Sequence, residues 1–152
     1  MLFRLYSKQS IITAKYTSST QLSLVFSVLY VYIVIMVFVQ YILLRRDIST
    51  VLNWPLGAIV AQGCHAATAA ITSYFTHPDT VYYLKEINRM HKIVLGVDNE
   101  EQLKNIAQKL KDANIDYYLW TEQPENVCTA LATRPYEKSM IQSHFKGLKL
   151  LS

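Results

Sequence analysis

The run from Lys92 to Leu110 constrains the fold more than any other part of this 152-residue chain. Lys92 to Val97 (KIVLGV) reads as a short apolar strand. Asp98 follows as an N-cap residue type, with Glu101 three positions on as its capping-box partner. Leu103, Ile106, Ala107 and Leu110 then recur at i, i+3, i+4 and i+7, while Glu100 and Lys104 pair on the outer face. A strand leading straight into an amphipathic helix places that helix on a sheet.

The rest of the body repeats this alternation. Val39 to Arg45 is a β-branched apolar run, and residues 48–57, with Asn53, Pro55 and Gly57, read as a loop. Ala58 to Phe75 is Ala-rich and helical, ended by His77-Pro78, and Asp79 caps a second short helix to Arg89. Tyr117–Thr121 and Val127–Thr133 read as strands joined by a loop around Pro124, and a last helix runs from Glu137 to Phe145, where Gly147 stops it. The expected architecture is α/β: one three-layer domain over residues 39–152, a mixed four-stranded sheet flanked by helices, preceded by an apolar extension, residues 1–38.

Charge is divided unequally between these parts. Residues 1–46 hold five bases and no acid, whereas residues 47–152 hold ten Lys or Arg and all eleven acids, so the body carries −1 of the chain's net +4. The high pI therefore says little about nucleic-acid binding by the domain. Two cysteines exclude a disulfide framework and a four-ligand zinc site, and Cys64 and Cys128 read as buried thiols.

No charged residue occurs from Tyr16 to Leu44, and residues 22–38 are nearly all apolar. Seventeen helical residues span about 25 Å, short of a hydrocarbon core of about 30 Å. Extension to Leu44 would consume the first strand. The preceding stretch has three bases, no acid and several Ser and Thr, as mitochondrial presequences do. A membrane anchor or targeting segment is the leading reading, with a cleaved presequence and an inert extension as the others. The domain is accordingly expected in the cytoplasm, or in a mitochondrion or at a membrane where residues 1–38 are retained.

Chemistry has one prominent address. From Ile48 to Pro78 there is no Lys, Arg, Asp or Glu, and on the Ala-rich helix Gln62, His65, Thr68, Thr72 and Thr76 fall on one face. His65 is the one residue type there that titrates near neutrality. It is either a core histidine satisfied by a backbone carbonyl or a general base in a cleft above the sheet, and spacing does not choose. His77, His91 and His144 show no metal-ligand spacing and read as solvated. No phosphate loop, Gly-x-Ser-x-Gly or nucleotide fingerprint is present.

The segments YILLRRDI (Tyr41–Ile48), WPLGAIVAQGCHAATAA (Trp54–Ala70), HKIVLGVDNEEQLKNIAQKLKDANI (His91–Ile115) and GLKLL (Gly147–Leu151) occur in an order and spacing that resemble the type 2 peptidyl-tRNA hydrolases, and among them a divergent branch with similar CHAATAA and EQPEN-like segments. The resemblance covers residues 39–151. It implies hydrolysis of the ester joining a peptide to the 3′ end of tRNA, a role in translation quality control, and no metal or organic cofactor. By position it makes His65, Glu122 and Thr129 the catalytic candidates and Gln62 a substrate-binding one, with Asn126 of the altered loop beside it; separately, by their charge, Arg45, Arg46, Arg89 and Arg134 are candidate phosphate contacts, Arg45 being the one taken as substrate-binding. Glu122 stands where the family usually has an aspartate, Ala58 where it has a lysine, and Glu125 and Asn126 where its loop has arginine and threonine. The implied partner is peptidyl-tRNA or a related acylated tRNA. A weakened hydrolase acting as a tRNA- or protein-binding module is the alternative, and a membrane-tethered adaptor held through residues 22–38 is a third reading.

Overall fold

The computed structural model describes residues 37–152, together with Ser23 and residues 25–28. Phe38–Ser152 forms one compact unit, and it carries the α/β fold. Ten of the seventeen residues of the anchor reading, residues 22–38, lie outside the described residues. Among the described residues no helix is long and apolar enough to cross a membrane.

This unit runs β1 (Phe38–Arg45), α1 (Asp47–Thr50), α2 (Leu56–Ser73), α3 (Pro78–Lys85), a 3-10 turn, β2 (His91–Val97), α4 (Glu100–Asp112), β3 (Tyr117–Glu122), β4 (Val127–Thr133), β5 (Tyr136–Glu137), α5 (Lys138–Ile141), a second 3-10 turn (Gln142–Phe145) and β6 (Lys149–Leu150). The sheet order is β3-β4-β1-β2-β6, with β5 also on β1, so there are six strands rather than the expected four. The four long strands are those the sequence indicates. The additional two are two-residue pairings, too short to carry a periodicity. Only β1 and β2 run parallel, with Ile42 opposite Val94, and β1/β4 and β3/β4 are antiparallel.

Strand β1 is covered on both faces, which is why its sequence is nearly continuously apolar. Val39, Tyr41 and Leu43 point to a core shared with Leu95, Val97, Leu131 and the α4 residues Leu103, Ala107 and Leu110. Ile42 and Leu44 point the other way, to α2 through Ala66, Ala67 and Ala70, with Ala130 and Ala132 of β4 alongside. The small residues allow a very close approach: a methyl at Gly63 would sit 3.3 Å from a Leu44 methyl. Gln40 is fully buried on this face, and its amide donates to Ala67 O and Thr133 O at 3.0 Å each while Lys92 donates to its carbonyl. A buried amide is tolerable only when its bonds are made, and these tie α2 to β1 and β4.

Several local expectations are corrected. The cap of α4 is Asn99, whose side chain accepts from Gln102 N at 2.9 Å, while Gln102 Oε1 accepts from Asp98 N. The cap therefore lies one residue beyond Asp98, and the side chain that reaches back is Gln102 rather than Glu101. His77 Nδ1 accepts from Asp79 N at 3.2 Å and caps α3, so His77 is a capping residue rather than a merely solvated one and Asp79 is not the cap. The expected loop at 48–57 includes the helical turn α1, and the expected terminal helix is a single α turn followed by a 3-10 turn. Cys128 is buried as expected, but Cys64 is exposed.

Arg45 and Arg134 also change role. Arg45 is 6% exposed and donates to both Asp47 oxygens at 3.0 and 2.7 Å, to Glu100 at 3.1 Å and to Cys128 O at 2.8 Å. Arg134 is bound by Asp116 and Asp79 at 2.9 and 2.8 Å and lies 3.6 Å over the Tyr136 ring. A guanidinium with its donors spent on carboxylates and carbonyls is a structural clamp, and its removal strands the groups it satisfied. Arg45→Ala is expected to lower the unfolding free energy by about 2–3 kcal/mol in urea titrations. Lys104, 2.6 Å away, holds the Glu100 carboxyl below the usual carboxylate range, with Cys128 N and Arg45 adding to it against partial burial. A depressed folded-state value means that this stabilisation is present above about pH 4.3 and is lost as pH falls through the lower folded value. Thermal melts of Glu100→Gln should therefore show a shallower loss of stability on acidification than the parent.

Candidate active site

The chemistry-bearing face of α2 meets the edge of the sheet where β3 and β4 run past it. On β3, Tyr118, Trp120 and Glu122 alternate toward α2 with the period of a strand. On β4 the pairing slips by one residue: Trp120 faces Ala130, but Thr121 faces Cys128. This bulge leaves Thr129 as the extra residue and turns its side chain toward α2, since Cys128 and Leu131 belong to the opposite core. Without the bulge, simple alternation would have put Thr129 on the α4 side.

Thr129 is fully buried, and its hydroxyl donates to Gln62 Oε1 at 2.6 Å. Gln62 is 4% exposed and lines the same cleft as Glu122. Trp120 Nε1 donates to Glu122 Oε2 at 2.8 Å, and the His65 ring stacks on Trp120 with centroids 4.7 Å apart and planes inclined by 16°. His65 is exposed, so the reading of it as a buried, backbone-satisfied histidine is set aside. The Trp120 hydrogen bond is the main reason the Glu122 carboxyl lies below its ordinary range. Burial opposes this, and Gln62 and the His65 charge add to it. Glu122 is accordingly an acceptor, ionised throughout the neutral range.

Beside these residues lies an open cleft of about 330 Å³ lined by Trp54, Pro55, Ala58, Gln62, Glu122, Gln123 and Glu125. It sits at the start of α2, whose cap is Pro55 with no side-chain bond, and where Ala58 N and Ile59 N both turn back to Pro55 O at 2.9 and 3.2 Å. The structure thus brings together His65, Gln62, Glu122 and Thr129. It does not bring Arg45, which is committed to Asp47 and Glu100 near α4, nor Asn126, which takes φ 56° in the exposed β3–β4 turn and is absent from the cleft wall. Among the described residues no group of three His, Cys, Asp or Glu is arranged to hold a metal. Trp54 and Trp120 were missed from sequence. An aromatic in a strand or loop is usually packing, and only the fold shows both beside the same carboxylate.

The site thus gathers an exposed histidine, a hydrogen-bonded carboxylate and a buried Gln–Thr pair along a small-residue helix over a mixed sheet. Comparison with known proteins gives the family. The family model described as peptidyl-tRNA hydrolase PTH2 matches residues 38–151, and the chain belongs to this family. Within it the chain falls in the PTRHD1 branch. It is 49% identical over 115 residues to the human "Putative peptidyl-tRNA hydrolase PTRHD1", which covers 75% of this chain and 82% of the relative. The mouse protein of the same name is 48% identical over the same shares. An archaeal "Peptidyl-tRNA hydrolase" from Methanothermobacter thermautotrophicus is 29% identical over 117 residues, 74% of this chain and 98% of the relative.

The exposure of the two cysteines gives a direct check of this face. In the native protein a thiol reagent should titrate Cys64 alone, and Cys128 should become reactive only in denaturant. Two native equivalents would contradict the burial of Cys128 beneath α4.

Proposed function

We propose that the chain hydrolyses the ester of peptidyl-tRNA, or of a related acylated tRNA, in the cleft at the start of α2, releasing free tRNA. The observation that carries this reading is the convergence of His65 and Glu122 on Trp120 beside a cleft that Gln62 also lines. His65 takes the proton from the attacking water, and Glu122 stabilises the imidazolium that results. Gln62 presents its amide to the cleft, and Thr129 acts on it from behind. Thr129 is thereby a positioning residue, because its hydroxyl is buried and already given to Gln62.

Ala58 lines the same cleft where the family's lysine would stand, and none of the lining residues is Lys or Arg. The oxyanion of the tetrahedral intermediate therefore has no side-chain cation. It has instead the unpaired amides of the first turn of α2, Leu56 and Gly57, and the partial positive charge of that helix end. Charged side chains in such a place contribute more than amides alone, so we place the rate below that of a lysine-bearing relative. The absence of a cation among the cleft's lining residues favours the second reading, a module that binds tRNA or a protein without turnover. The domain works in the cytoplasm under this proposal, or at a membrane or in a mitochondrion if residues 1–38 are kept as a tether. Alkaline carbonate extraction of the full chain separates these cases, since anchored protein stays in the pellet.

Release of peptide from peptidyl-tRNA by the full chain is the deciding measurement. His65→Ala and Glu122→Gln should each lower kcat by about 10²-fold or more, with smaller changes in KM. Ala58→Lys should raise kcat by about tenfold. Binding of tRNA without any release by the parent or by Ala58→Lys would decide for the binding module.

A further inference from the structure

His65 is held on α2 and Glu122 on β3, and both side chains touch one residue, Trp120. Its indole edge donates Nε1–H to Glu122 Oε2 at 2.8 Å. Its face stacks on the His65 ring at 4.7 Å and 16°. The rest of the indole is packed against the cluster of Ile42, Leu44, Ala66 and Ala130, and Tyr118 lies 6.4 Å away on its flank. The ring therefore has little freedom to turn.

From this geometry we propose that Trp120 is a positioning residue of the hydrolase site, a rigid plate that fixes the imidazole against its face and the carboxylate at its edge. The inference rests on the hydrolase reading and deepens it. A tryptophan side chain has two torsions, so both groups are located at small entropic cost and their relative placement is set by the dimensions of one aromatic ring. Glu122 is the charged group that bears on His65 from β3, and α2 itself carries no Lys, Arg, Asp or Glu. A mere packing role would need the indole's bulk but not the alignment of its N–H with one catalytic group and its face with the other.

The chain has only two tryptophans, Trp54 and Trp120, which permits a readout independent of activity. In Trp54→Phe, emission comes from Trp120 alone, and a protonated imidazole stacked on an indole quenches it. An acid titration should therefore show an emission step that is absent from the Trp54→Phe, His65→Ala double variant. In peptide release by the full chain, Trp120→Phe keeps an aromatic face but loses the donor, and should lower kcat by about tenfold with KM within about twofold. Trp120→Leu loses both contacts and should lower kcat by about a hundredfold. Far-UV circular dichroism confirms folding, and if Trp120→Leu does not fold, Trp120→Phe decides.

Absence of the emission step overturns the proposal whatever the activity. A step together with unchanged kcat in the Trp120 variants overturns it too, while leaving the hydrolase reading intact. A step together with no release by the parent chain removes the hydrolase reading and the proposal with it.

Discussion

The close seating of α2 on β1 and β4 is the contact on which the rest depends. Gly63, Ala66, Ala67 and Ala70 leave nothing between helix backbone and the Ile42, Leu44, Ala130 and Ala132 side chains. Packing of small groups yields less apolar burial per residue than leucine would, roughly 0.8 kcal/mol being associated with each buried methylene. What it provides is proximity. The Gln40 amide can bridge Ala67 O to Thr133 O only because helix and strand lie so near one another.

That seating fixes where the polar stripe of α2 arrives. With Gly63 turned to Leu44, Gln62 is directed at β4 and His65 at β3, one turn apart on the same flank. The sheet meets them with two adjustments of its own. Alternation along β3 presents Trp120 and Glu122 together, and the bulge on β4 turns Thr129 inward. The site is thus assembled from a helix period of 3.6, a strand period of 2 and one deliberate break in the latter.

Charge is arranged with comparable economy. Both buried arginines, Arg45 and Arg134, spend their donors on carboxylates and carbonyls that hold elements together. The cleft has carboxylates and helix-end amides but no cation. Affinity for a polyanion such as tRNA must come from outside the cleft or from contacts that do not depend on charge, and only in the second case does salt affect binding less steeply than in basic RNA-binding domains.

The amino-acid sequence by itself determined the four long strands, α2, α4 and the α/β class, because 2- and 3.6-residue periodicities are properties of the local chain. It also determined that His65 and Gln62 share a helix face, and its motifs carried the family resemblance. The folded layers alone show that Arg45 is spent on Asp47 and Glu100, that the Thr129 hydroxyl is bonded to Gln62, that Cys64 is exposed, and that Trp120 touches both His65 and Glu122. Each of these depends on which residues meet across 50 or more positions of sequence, or on a one-residue slip in strand pairing. Neither leaves a periodic trace, since distance along the chain carries no information about which side chain a guanidinium, a hydroxyl or an indole will find when the layers close.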